Sequence, residues 1–426
     1  MFSQSYYTAL GLGAIYAKIM QCDRLSADDG EALFACPNIL AVGALAHHVR
    51  TRRHGNKTYY VRNRHINYSN ICVNRCRFCA FRRDDAATPG AFTLNKQDII
   101  ERALDDQGHP FAEIHIVGGC HPELRLSWFE DVFLTLKELR PHAVLKAFTV
   151  AEIHHFARME SCTESAVLER LKASGLAMLT GGGAEIFNPV VRQRICPEKI
   201  SGEDYLRIAG EAHRLGIASN CSMLFGHVES HRDRAEHLCA LRGQQDKSGG
   251  FVCFIPLPFQ TRHNQLAEEL TQTSADTTVA GSGSFCRQTR KAQLWAMGLD
   301  SSGPAPEHKA SLTMDHGKRS HYPVVTGLDR LRTIAVARLL LDNIPHIKAY
   351  WVMLGVKTAQ TALSFGADDL DGTIIEEHIG HMAGADSAQA LTRADLEAMI
   401  TNCGFTPVNR DALFNALPVQ NTGGAA

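Results

Sequence analysis

The stretch HINYSNICVNRCRFCAFRR, residues 65–83, decides the reading of this chain. It begins as a β-like run in which His65 and Asn67 alternate with apolar neighbours, and it runs straight into Cys72, Cys76 and Cys79. The spacing is C-x-x-x-C-x-x-C. Three thiolates on one loop can each bind an iron of a cubane cluster, and the fourth iron is then open to chelate a small molecule. Structural zinc takes four closed ligands, so zinc here would need a fourth donor such as His65 or a remote cysteine. The chain has 13 cysteines, an odd number, and the others are single and scattered. That distribution favours a metal or catalytic cluster over a disulfide framework. The arginines around the triplet, Arg75, Arg77, Arg82 and Arg83, read either as offsets to cluster charge or as a solvated face.

Outward from this loop the pattern is β-like runs alternating with amphipathic runs. The strand candidates are YVRNRHINYSNIC, FAEIHIVGG, AVLKAFTVAE, LAMLTGGG, IASNCSMLFG, FVCFIPLPF, HIKAYWVML and ADDLDGTII. Helix candidates such as LSWFEDVFLTLKELRP, SAVLERLKASG and LDRLRTIAVARLLLDN lie between them. Strands that alternate with helices pair in parallel, and this many predict an α/β (β/α)8 barrel of the TIM type. Residues 1–54 read as a helical extension, with Ser26 and Pro37 as start signals. Residues 55–375 read as the barrel and 376–426 as terminal helices and tail. Residues 262–325, rich in Ser, Thr, Gly and Pro, read as a loop-rich surface insertion with one short helix, CRQTRKAQLWAMGL.

Composition excludes several function classes. Hydrophobic residues make up 45% of the 426, and the formal net charge is −1, so no global field draws the chain to nucleic acid or anionic lipid. The short basic run VRTRRHGNK does not outweigh that balance, so an RNA-binding role is not expected. No apolar run approaches the roughly 18 residues of a membrane span. The start MFSQSYYTALGLGAIYAKIM lacks the pattern of a secretory leader, and a cytoplasmic location is expected.

Barrel active sites sit at the C-terminal ends of the strands. There the sequence offers Gly118-Gly119, then Cys120; Lys146 and Thr149, with Glu152 close by; Gly182 and Glu185; and Asn220, His227 and Glu229. Near the end of the chain, Trp351, Asp371 and Thr373 join them. Paired glycines allow close backbone approach, though they also serve plain turns. His227 could act as a general acid or base, or sit as a satisfied structural residue.

The triplet spacing, Phe78 before the last cysteine, and the place after the first strand together resemble the radical S-adenosylmethionine (SAM) superfamily. That resemblance implies a [4Fe–4S] cluster on Cys72, Cys76 and Cys79. It implies SAM contacts from Phe78, Phe81, Gly118, Gly119, Glu185 and Asn220. His65, Asn67, Lys146, Thr149, Gly182, His227, Glu229, Trp351, Asp371 and Thr373 remain for substrate and catalysis.

The segments EIHIVGGCHPEL, LKAFTVAEI, GGGAEIFNPVVRQRICPEKISGE and GADDLDGTIIEEHIGHMAGA narrow the resemblance to the aminofutalosine synthases of menaquinone biosynthesis. Such a family implies that the 5′-deoxyadenosyl radical adds to the vinyl carbon of 3-[(1-carboxyvinyl)oxy]benzoate. The products are 6-amino-6-deoxyfutalosine, methionine and bicarbonate, and SAM is consumed as a co-substrate. It also implies a one-electron donor such as flavodoxin or ferredoxin, no nucleic acid or membrane partner, and room for a homodimer. The alternative is a dehypoxanthine futalosine cyclase or a related radical SAM synthase that abstracts hydrogen. The chain departs from the pattern in its long 262–325 segment and in Gln260-Thr261, where the resemblance leads one to expect His-Pro.

Overall fold

The computed structural model describes residues 2–106, 109–277 and 325–418. Seven strands form one parallel sheet in sequence order: β2 (Asn63–Ile66), β3 (Glu113–Ile116), β4 (Val144–Ala147), β5 (Met178–Leu179), β6 (Ala218–Phe225), β7 (Phe251–Pro258) and β8 (His346–Ile347). β9 (Asp369–Gly372) supplies the eighth position. Its segment bridges β8 through Lys348 and Asp369, and bridges β2 through Ile375 and Arg64. These two parallel bridges join the edges of the sheet and close the barrel.

β9 also belongs to a second sheet, of order β10-β1-β9, in which β1 (Lys57–Val61) pairs in parallel with β10 (Thr406–Arg410). Two expectations change here. The run YVRNRHINYSNIC, read as one strand, is two strands that break at Arg62 and enter different sheets. Residues 376–418, read as helices, contain β10. Its sequence TPVNR is polar and carries a proline, which an edge strand tolerates. Arg410 anchors it, with Nε 2.6 Å from Asp369 Oδ2.

Helices pack outside the strands because their apolar faces match the sheet. The helix Leu126–Leu139 buries Leu126, Phe129, Val132, Phe133 and Leu136. Phe129 meets Phe148 edge-on at 4.9 Å and Phe156 at 5.3 Å. Losing one such ring to alanine costs about 3–5 kcal/mol. Ser26 caps the helix Ala27–Ala35 through a reciprocal box with Asp29. The next helix, Ile39–His54, is capped by Asn38, one residue past the expected Pro37. Gly249 ends the helix His231–Ser248 at φ 68°, a left-handed turn that glycine adopts without strain.

HIKAYWVML is strand only at His346–Ile347; Trp351–Leu354 is a helical turn. AVLKAFTVAE likewise ends early, because Thr149 caps the helix Val150–Met159. The first part of the expected insertion is a helix, Gln265–Thr277. The short helix expected at 286–299 lies outside the described residues. Among the described residues, no helix is long and apolar enough to cross a membrane.

Candidate active site

The strand ends open on a cavity of about 300 Å³. At its mouth lies the cysteine loop. Cys72, Cys76 and Cys79 all line the cavity, as do Phe78 and Phe81. Backbone bonds fix the loop at both ends. Cys72 N–H donates to Arg83 O at 3.1 Å, Cys79 N–H to Cys76 O at 3.0 Å, and Arg77 N–H to Ile195 O at 2.9 Å.

Gly118 and Gly119 pack beneath this loop. A Cβ on Gly118 would meet Ser69 O and the Tyr68 ring at 2.8 Å, and one on Gly119 would meet Ile71 O at 2.2 Å. The glycine pair is thus required by the loop itself, whatever binds beside it. Cys120 follows, buried, and its N–H donates to Cys72 Sγ at 3.3 Å. Hydrogen bonding from Cys120 brings the Cys72 thiol down to about 6, while burial pushes Cys79 up.

The arginines of the loop are engaged, and Arg82 lines the cavity. Arg77 pairs with Glu269 at 3.4 Å, Arg82 pairs with Asp84, and Arg83 donates to backbone carbonyls. The cation on the inner side is Lys199, a residue the sequence reading did not single out. Its Nζ lies 2.6 Å from Glu185 Oε1 and 5.9 Å from the Phe78 ring centroid. Lys199 and Glu185 both line the cavity, and their pairing holds Glu185 below the usual carboxylate range despite burial.

Glu152 is a second buried acid on the wall. It accepts from Tyr68 Oη at 2.8 Å, Gly118 N at 3.2 Å and Thr149 N at 2.6 Å. Burial nevertheless raises its carboxyl to about 7. Thr149 lines the wall as a helix cap, and Gly182 packs against its methyl group.

The floor is a row of in-register neighbours. His65 on β2 stands beside His115 on β3, which stands beside Lys146 on β4. The two imidazoles stack with centroids 4.2 Å apart. Lys146 Nζ lies 2.5 Å from Glu113 Oε1. Across from this row, Lys348 Nζ lies 2.8 Å from Asp371 Oδ1. Burial brings His65 down to about 3 and lowers His115 too, so both rings are neutral near pH 7. Asn67, just above, donates to Val117 O at 3.1 Å and accepts from His378 N at 3.1 Å.

Five sequence candidates do not line the cavity. Asn220 is buried in β6, with Gly181 packed against its backbone carbonyl. His227 Nε2 donates to Leu224 O at 3.1 Å, and its Nδ1 accepts from Val228 N at 2.7 Å. Glu229 receives His227 N–H at 2.9 Å and Arg234 Nε at 2.8 Å. These are bonds that hold a turn together, as the structural alternative for His227 expects. Trp351 is fully buried and donates to Gly372 O at 2.9 Å. Thr373 donates to Asn63 O at 2.8 Å and pins the β9 segment to β2.

Three thiols lining one cavity, Cys72 lowered by hydrogen bonding from Cys120 while burial raises Cys76 and Cys79, fit a [4Fe–4S] cluster held at three irons. Cys72, Cys76 and Cys79 would be its ligands. A fourth protein ligand of the kind zinc needs is not supplied by His65, which bonds Asn63 and stacks on His115 in the floor row.

Comparison with known proteins identifies the relatives of this chain. Residues 66–239 match the model of the radical SAM superfamily, and residues 308–422 match the CofH/MqnC C-terminal region. The chain is 38% identical to the aminodeoxyfutalosine synthase of Thermus thermophilus, over 95% of each chain. It is 36% identical to that of Streptomyces coelicolor, over 94% of this chain and 92% of the other. It is also 33% identical to the 5-amino-6-(D-ribitylamino)uracil–L-tyrosine 4-hydroxyphenyl transferase of Methanopyrus kandleri, over 92% and 94%. Among solved structures, the FeFe-hydrogenase maturase HydG of Carboxydothermus hydrogenoformans superposes with a TM-score of 0.64 at 15% identity. That match covers 95% of this chain and 80% of the maturase, and it speaks for the fold alone.

Proposed function

Because the chain belongs to the radical SAM superfamily, sharing nearly its whole length with aminodeoxyfutalosine synthases, we propose that it joins the adenosyl group of SAM to 3-[(1-carboxyvinyl)oxy]benzoate. The products are 6-amino-6-deoxyfutalosine, methionine and bicarbonate. The observation that carries this reading is kinship: 38% and 36% identity to two synthases against 33% to the Methanopyrus transferase.

Cys72, Cys76 and Cys79 would hold the cluster, which, given an electron from an external donor such as flavodoxin or ferredoxin, would supply the reductive cleavage of SAM that releases methionine and an adenosyl radical. The remaining work belongs to the protein. Phe78, Phe81, Gly118, Gly119 and the Glu185–Lys199 pair surround the space next to the cysteines and hold SAM there. The lower cavity, walled by Leu224, Ile255, Leu257, Tyr350 and Met353, excludes water and orients the acceptor. His65, Asn67, Lys146, Thr149, Gly182 and Asp371 face the acceptor. A dry cavity matters because a radical that meets solvent or a loose C–H is lost to side reactions.

The second reading is a tyrosine-consuming transferase of the Methanopyrus kind, favoured by its 33% identity. Anaerobic turnover with SAM and reductant separates the two. The synthase reading expects consumption of the enolpyruvyl benzoate and none of tyrosine with 5-amino-6-(D-ribitylamino)uracil; the reverse result would replace it.

A further inference from the structure

Lys348 and His115 stand out as polar groups that neither the cysteine loop nor the SAM side of the cavity employs. Lys348 is 1% exposed, and the half-buried His115 lines the same cavity. With His65 and Lys146 they form the floor, at the end of the cavity away from the cysteines. The lysines are partnered by Glu113 and Asp371, and each ammonium has three N–H donors, more than one carboxylate oxygen uses. Burial lowers Lys146 even so. His115 Nδ1 has no hydrogen-bond partner and lies 3.7 Å from Glu113 Oε1. The floor therefore holds spare N–H donors, beside one unpartnered carboxylate oxygen, Glu113 Oε2, in a dry place, which is costly unless a ligand uses them. Above it the wall is apolar, formed by Leu224, Ile255, Leu257 and Tyr350.

We propose that this floor, Lys146 and Lys348 with His65 and His115, is the binding site for the ring carboxylate of an aromatic acid. The assignment rests on the synthase reading for its orientation. The vinyl carbon must face the cysteine end, where the adenosyl group is made. The ring carboxylate, meta to the ether oxygen, then points away from it and down to the lysines. The flat ring lies against the apolar wall between. The acids Glu113 and Asp371 hold the lysines in place, and a charge-assisted bond from each ammonium compensates the carboxylate for lost water.

The same histidines and Glu113 could also be read as a metal site, since their ligand atoms lie within 4.8 Å of one another. Lys146, 2.5 Å from Glu113, places a competing cation there. The stacked rings present faces to each other where a shared metal would need converging edges.

The test is equilibrium binding to the anaerobically reconstituted, SAM-loaded protein. The probes are the enolpyruvyl benzoate and the analogue that lacks only the ring carboxylate, 2-phenoxyacrylate. The wild-type chain should prefer the full substrate by on the order of tenfold to a hundredfold, the range of hydrogen bonds to charged groups. A Glu113→Gln/Lys146→Met variant removes both members of a pair, so no buried charge is left alone. In it, and in Lys348→Gln, the preference should shrink several-fold, while SAM affinity and the cluster's electron paramagnetic resonance signal stay as in wild type. An unchanged preference in both variants would overturn the floor assignment. So would stoichiometric zinc that disappears in His115→Gln. A preserved preference in wild type without adenosyl product would instead sink the synthase reading and leave the carboxylate site standing.

Discussion

A Cβ on Gly119 would lie 2.2 Å from the carbonyl oxygen of Ile71 and 2.9 Å from Cβ of Cys72. The end of β3 is therefore the surface on which the cysteine loop is moulded. The glycine pair and the triplet, 47 residues apart between Cys72 and Gly119 in the chain, act as one structural unit.

Gly119→Ala is expected to push the loop out of place, because the clash is with backbone, which cannot rotate away. Iron bound after anaerobic reconstitution should fall by half or more, with far-ultraviolet circular dichroism unchanged. Full iron loading in this variant would show that the loop tolerates the displacement.

Lys199→Met leaves Glu185 buried without its cation. Breaking such a pair from one side costs about 3–5 kcal/mol when it is fully buried, and somewhat less here because Lys199 keeps 14% exposure. The double variant Lys199→Met/Glu185→Gln should recover much of the loss. Chemical denaturation of the three proteins measures it, and equal stability of single and double variants would argue against the coupling.

His227→Gln should reduce stability by about 1–2 kcal/mol, the cost of disturbing buried hydrogen bonds. Its KM for the acceptor and its pH–rate profile should match wild type, since His227 does not line the cavity. A shifted pH profile would restore the acid–base role that the sequence suggested.

Acid should destabilise the fold before its ordinary carboxylates titrate. Burial holds His65 and His237 at about 3 and His54 and His213 at about 4, against an ordinary 6.5. Their stabilising contribution is complete above pH 6.5. It declines below that, as the unfolded chain takes up protons that the fold refuses, by up to about 1.4 kcal/mol per group per pH unit. Glu152, raised to about 7, and His381, raised to about 9 by Glu377, work in the opposite direction. The net expectation is lower stability in urea at pH 5.5 than at pH 7.5, and equal values would contradict the buried neutral histidines.

The cysteine loop and the βα rhythm were legible because their signals are local: three thiolates in eight residues, and apolar periods that alternate along the chain. The floor was only half legible. His65 and Lys146 were singled out near strand ends, yet His115 looked like an ordinary strand residue until parallel register brought it level with them, and Lys348 joined them only through its pair with Asp371. In EIHI the alternation of Glu113 and His115 does place both on one face, and that was the available signal. Lys199 carried none, because its place depends on how the loop after Pro189–Ile195 returns over the cysteines. β10 escaped because an edge strand held by backbone pairing to β1 and by the Arg410–Asp369 pair needs neither apolar alternation nor β-branched residues.

The most direct measurement of the central claim follows the adenosyl carbons. SAM labelled with carbon-13 in its ribose is turned over anaerobically with the enolpyruvyl benzoate, and products are weighed by mass spectrometry. The account predicts the label in a covalent adduct with the acceptor's aromatic ring, formed in step with methionine. Label recovered only in free 5′-deoxyadenosine, with the acceptor intact or merely oxidised, would contradict it and place the chain among enzymes that abstract hydrogen.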